Sequence, residues 1–159
     1  GIVGGSGVLV NFIVFYLANK ALENGLDLHA NDVVMQLGAT RWNVRWYHVM
    51  YTLAFVLANT WNYQLNRSWT FRGVHARSWL RGFFPFLATG ALAFAVSLTC
   101  MTLLMNPTTP VGLPDHIFDD SSGLRTKSYW ALAISTFIAM PVNFIINKFW
   151  TFGKPKSAV

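Results

Sequence analysis

The pattern Asn-x-x-x-Asn-basic-x-Trp-Thr-Phe occurs twice, from Asn62 to Phe71 and from Asn143 to Phe152. Each copy closes a long apolar stretch. Carboxamides both donate and accept hydrogen bonds, a cation holds an anion, and an indole offers a flat apolar face with one donor. At the end of a hydrophobic segment such groups are costly unless they meet something polar. The chemistry they fit is capture of an anionic, hydroxyl-rich head group, and the candidate binding residues are Asn62, Asn66, Arg67 and Trp69 with Asn143, Asn147, Lys148 and Trp150.

Bond-breaking chemistry has no comparable support. It would need a base, a nucleophile or a metal gathered in one place, and no such constellation is present. His29, His48, His75 and His116 lack ligand spacing, and the one cysteine, Cys100, can build neither a disulfide nor a thiolate metal site. No cofactor is implied, and the chain reads as a non-enzyme.

The elements that must position these residues follow from composition. The 159 residues are 53% hydrophobic and only 11% charged, against about a quarter charged in a soluble domain. Residues 1–17, 46–65, 82–105 and 128–147 carry no charge at all. Each stretch approaches the roughly 20 residues a helix needs to cross hydrocarbon. The fold class expected is an all-α membrane protein with four transmembrane helices, near residues 1–19, 46–66, 82–105 and 128–147.

All six acids, Glu23, Asp27, Asp32, Asp115, Asp119 and Asp120, fall in the first and third connections. The second connection carries Arg67, Arg72, Arg77 and Arg81, and the tail carries Lys148, Lys154 and Lys156. By the positive-inside rule those segments and both termini are cytoplasmic, in a cell membrane. The net charge of +6 then suits anionic lipid or a phosphate-bearing substrate rather than nucleic acid, because the cations border apolar spans and form no soluble stripe.

The two motif copies lie 81 residues apart, and Gly7-Val8-Leu9 stands 83 residues before Gly90-Ala91-Leu92. One domain over residues 1–159 is therefore expected, built as a tandem duplication of a two-helix unit (repeat one 1–72, repeat two 80–153) with its symmetry axis along the membrane normal. The first connection is read as holding a short interfacial helix near residues 31–37, capped by Asn31; the third, with Pro107, Pro110 and Pro114, reads as an irregular external loop. Pro85 is placed in the first turns of span three, and Pro141 in the middle of span four, where it should kink the helix. The chain opens at Gly1 within an apolar run, which places a removed start or a further domain ahead of it and argues against a cleaved signal peptide.

Helical spacing puts Tyr51, Phe55, Asn59, Asn62, Asn66 and Trp69 on one stripe, and Thr136, Met140, Asn143, Asn147 and Trp150 on another. Plainer roles compete at each position. Asn11 and Asn59, which are not duplicated, read as interhelical glue; Arg67 and Lys148 could set topology by snorkelling; Trp69 and Trp150 could be interfacial anchors; Gly4, Gly5, Gly7 and Gly90 could serve close packing.

The duplicated motif, with glycine-bearing first and third spans, resembles the GtrA-like family of small four-span membrane proteins over essentially the whole chain. Membership would imply work on cell-surface polysaccharide, in which a polyprenyl-phosphate-linked sugar is moved between leaflets or the enzyme that makes it is assisted. The opening from Gly4 to Asn11 is similar to the membrane portion of fusions in which a polyprenyl-phosphate glycosyltransferase precedes such a domain. Two expectations follow: a flippase for a polyprenyl-phosphate sugar, or a non-catalytic anchor and lipid-recruiting module for the glycosyltransferase. A small multidrug-type exporter would need a membrane carboxylate, and the spans have none. A homodimer would give a head group and tail more room than four helices alone.

Overall fold

The structure is a computed structural model that describes residues 2–40, 42–70 and 78–146. Four long helices dominate it: α1 (Ile2–Leu26), α2 (Trp46–Leu65), α3 (Trp79–Met105) and α4 (Lys127–Ile146). Two of them, over Gly4–Leu26 and Trp79–Met105, are long and apolar enough to cross a membrane. The polar residues His48, Asn59, Asn62 and Gln64 dilute the apolar character of α2. Leu9, Leu57, Phe84, Leu92, Phe137 and Ile145 are exposed on the helices. An apolar coat of that extent is what lipid solvates and water does not.

α1 packs along α2 and α3 along α4, and the resulting hairpins meet chiefly through α2 and α3. Two ends can be distinguished. The first, called here the Arg67 end, holds the start of α1, the end of α2, the start of α3 and the end of α4. The core sits at the other. Phe15, Leu22, Tyr47, Met50, Met101, Met105 and Leu132 form one buried cluster there, with Phe15 and Met101 at 0% exposure. Tyr129 joins α4 to α1 at that level, in ring contact with Phe15 and Tyr16 and accepting a hydrogen bond from Asn19 at 3.3 Å.

α1 runs several residues beyond the expected span. Lys20 and Glu23, one turn apart, form an ion pair of 2.8 Å that lets the helix continue past its apolar stretch. Asp27 then adopts a left-handed conformation at φ 53, and the Leu28 amide donates back to the Leu22 carbonyl at 3.2 Å, a C-terminal cap that stops the helix.

The interfacial helix expected near residues 31–37 is not formed. Instead β1 (Val33–Gln36) pairs antiparallel with β2 (Asn43–Arg45), with a bulge between Val33 and Met35. Val33 and Val34 favour extended backbone, and Gly38 supplies the positive φ of 58 in the reversal that follows. The ribbon caps α2, because the amides of Trp46 and Tyr47 donate to the carbonyls of Asp32 and Ala30. Asn31, expected to cap a helix, instead accepts from the Arg45 guanidinium through its carbonyl.

The third connection is irregular, as expected, apart from a short 3-10 turn at Gly123–Arg125. Lys127, buried at the start of α4, pairs with Asp115 at 2.6 Å, and Arg125 meets Asp119 at 3.2 Å. α3 starts at Trp79, three residues before the expected span, so Pro85 stands in its second turn and cannot donate to the Arg81 carbonyl.

Candidate functional site

Where the far half is packed, the half toward the Arg67 end opens into a cleft of about 430 Å³. Every helix contributes to its wall. α1 supplies Gly7 and Asn11, α2 Tyr51, Phe55, Asn59 and Asn62, α3 Gly90, Phe94 and Ser97, and α4 Thr136 and Met140. At 1.5 Å per residue the lining from Asn62 to Tyr51 spans about 16 Å of the α2 axis. The hydroxyls of Tyr51 and Ser97 are hydrogen-bonded to each other and close the cleft on its deep side.

Small residues make the space. A Cβ on Gly7 would overlap the Asn62 carboxamide, and one on Gly90 would come to 3.4 Å from both Asn59 and Phe55. The glycine pair 83 residues apart thus lets α1 and α3 approach the same stretch of α2 from two sides. The aromatic wall is equally local: Phe55 and Phe94 stack with centroids 4.3 Å apart and planes at 22°.

Four polar atoms on this wall are buried without a hydrogen-bond partner: Asn11 Oδ1, Asn59 Nδ2, Asn62 Oδ1 and Thr136 Oγ1. Leaving such a group unpaired costs about 1–3 kcal/mol. The glue expected of Asn11 and Asn59 is therefore not seen among the described residues, for the atoms that would cross between helices stand unpaired. Each residue lines the cleft while one polar atom of its side chain stays buried and unpaired.

The eight sequence candidates separate. Asn62 lines the cleft. Asn66 follows α2 at the head of a π-helical turn, Asn66–Thr70, and its backbone N–H donates to the carbonyls of Asn62 and Tyr63. Arg67 lies in that turn and donates to the Tyr63 hydroxyl at 3.3 Å, while that hydroxyl donates to the Trp79 carbonyl at 2.9 Å. The turn is thereby tied to the start of α3, and Arg67 is held there, outside the residues that line the cleft. The backbone of Trp69 belongs to the same turn and that of Asn143 to α4; their side chains, and all of Asn147, Lys148 and Trp150, lie outside the described residues.

Sequence reasoning undervalued Asn11, Asn59 and Thr136. The helical stripe on α2 was the signal for Asn59, since Tyr51, Phe55, Asn59 and Asn62 all reach the cleft. Asn11 had no repeat partner to mark it: the two offsets in the sequence set it against Phe94 or Leu92, and of these Phe94 lines the same space.

No charged side chain lines the cleft among the described residues, nor does any group of His, Cys, Asp or Glu there have the makings of a metal site. The wall can hydrogen-bond and stack. Residues 1–114 match the family model described as GtrA/DPMS, transmembrane domain. That match spans α1, α2, α3 and the start of the third connection. Comparison with curated proteins and with solved structures gave no match.

Proposed function

The chain belongs to the GtrA/DPMS transmembrane-domain family, a family of membrane proteins that fits glycolipid-linked polysaccharide synthesis, and from that premise we propose that it flips a polyprenyl-phosphate-linked sugar from the cytoplasmic to the outer leaflet. The observation that carries this reading is the asymmetry of the bundle. One half is closed by Phe15, Met101 and Leu132, and the other is open beside Arg67 and walled by unpaired amides.

In this reading all four helices span the membrane, both termini face the cytoplasm, and the Arg67 end is the inner mouth. Arg67, with Lys148 contributed by the second repeat, holds the phosphate at the interface. Asn62, with its motif partners Asn66, Asn143 and Asn147, receives the sugar, and Trp69 and Trp150 flank it. The apolar tail remains in lipid. The sparing contact between α1 and α4 supplies a seam through which it can pass.

Movement is uncoupled. A lipid-linked sugar made inside and consumed outside runs down its own gradient, so the cleft needs no titrating carboxylate. The enzyme that makes the substrate, a polyprenyl-phosphate glycosyltransferase, is the natural partner, separate or fused, and a second copy of this chain would enlarge the path. No step breaks a covalent bond.

The test is reconstitution of the purified chain in vesicles with a water-soluble short-chain polyprenyl-phosphate sugar. Uptake without any ion gradient is expected, slowed in Arg67→Ala and in Asn62→Leu. Uptake equal to that of protein-free vesicles, with retained capture of the glycosyltransferase, would replace translocation by the anchor reading.

A further inference from the structure

The geometry points to a subsite in the cleft, built by Asn11, Asn59 and Thr136 with the stacked rings of Phe55 and Phe94, that takes the uncharged polyol part of the ligand and excludes its phosphate. This rests on the translocation reading and deepens it, because it divides the head group between two places on the chain.

The division follows from what the polar groups of the wall require. The carboxamides of Asn11, Asn59 and Asn62 each carry donors and an acceptor, and the Thr136 hydroxyl can take either role. A phosphate offers acceptors only. It would satisfy the amide N–H groups and leave the amide carbonyls facing an anion. A hydroxyl is donor and acceptor at once, and a ring bearing several of them at different azimuths can meet groups that arrive from α1, α2 and α4 together.

The aromatic wall selects in the same direction. The faces of Phe55 and Phe94 carry the negative side of the ring quadrupole, which repels an anion and accommodates the apolar C–H face of a sugar. Asn11 is only 9% exposed, and no cation among the described residues lines the space, so a phosphate moved there would be a desolvated, uncompensated charge. A volume of about 430 Å³ lies within the roughly 300–1,000 Å³ usual for small-molecule sites.

Spacing along α2 completes the argument. Asn62 precedes Arg67 by five residues, about 7 Å along the axis at helical rise, and Asn59 lies one turn deeper. A sugar seated between Asn59 and Asn62 leaves its phosphate near the mouth, where Arg67 stands. The ligand therefore enters sugar first.

The experiment titrates the full chain, in a polyoxyethylene ether micelle free of sugar and phosphate, with three probes followed by calorimetry. They are a short alkyl glycoside, a short alkyl phosphate and a short isoprenyl phosphate sugar. The glycoside and the phosphate sugar are expected to bind and to compete with each other, and the alkyl phosphate is expected not to displace the glycoside. Asn11→Leu and the near-isosteric Thr136→Val should weaken both sugar-bearing probes roughly tenfold, the loss of one well-made buried hydrogen bond.

The subsite is overturned if the wild-type chain binds no glycoside, if alkyl phosphate displaces it, or if both folded variants bind the sugar probes as tightly as wild type. Sugar binding that follows the expected pattern in a chain that moves no lipid in vesicles would end the translocation reading and leave the subsite standing.

Discussion

Gly7 of α1 lies so close to the Asn62 side chain of α2 that a single added carbon would occupy the place of the carboxamide. Gly7→Ala must therefore either rotate the amide out of the cleft or separate the two helices. Overpacking of this kind costs about 1–3 kcal/mol. Gly4→Ala and Gly5→Ala meet nothing within 4 Å and should leave thermal stability in detergent unchanged or slightly raised. Equal melting temperatures for all three variants would show that α1 and α2 do not approach closely at Gly7.

Removing the orphan amides should separate stability from function. Asn11→Leu and Asn59→Leu each replace a buried, unpaired polar atom by an apolar group, relieving a cost of about 1–3 kcal/mol. Denaturant midpoints equal to or above wild type are expected, together with slowed vesicle transport. Clear destabilisation in both would restore these residues to the glue role that sequence reasoning assigned them.

How much of this could be read in the chain differs by element. The α2 stripe was legible because helical spacing alone aligns Tyr51, Phe55, Asn59 and Asn62, and the structure turns that stripe to the cleft. The β1–β2 ribbon was not, since pairing Val33 with Arg45 is a contact across a reversal that local spacing does not reveal. Nor was the one-sided opening. It depends on which face each of four helices turns inward, and Asn11, read from the sequence as interhelical glue, reaches the cleft only where the other three helices surround it. The second copy of the motif falls largely outside the described residues.

At the deep end of the cleft, Tyr51 and Ser97 share a hydrogen bond between α2 and α3, both side chains being buried. Such bonds within a membrane average about 0.6 kcal/mol and reach roughly 1.7. Tyr51→Phe leaves the Ser97 hydroxyl alone and should cost more than the double change with Ser97→Ala, which removes both partners. A double-mutant cycle by steric trapping or denaturant titration measures the coupling. If the pair also seals the cleft, Tyr51→Phe should open a small-solute leak in vesicles. A coupling energy near zero would mean that the two hydroxyls do not hold α2 to α3, and a tight Tyr51→Phe variant that the seal is made by the apolar core beneath.

The third connection should respond to pH through Asp119. The Asp119 carboxylate accepts hydrogen bonds from the Ser121 hydroxyl at 2.6 Å and the Ser121 amide at 3.1 Å, and these, with a smaller contribution from Arg125, hold it below the usual carboxylate range. Because the folded value is the lower one, the stabilisation is complete above the unfolded value of about 3.9 and is lost as pH falls through the folded value. The loop around residues 117–126 should therefore stay ordered from neutral pH down to about 4 and loosen only below that. The chemical shift of the Ser121 amide, followed through a pH titration, reads this directly. A midpoint at or above the ordinary aspartate value, or an unchanged titration in Asp119→Asn, would show that Ser121 does not bind the carboxylate in solution.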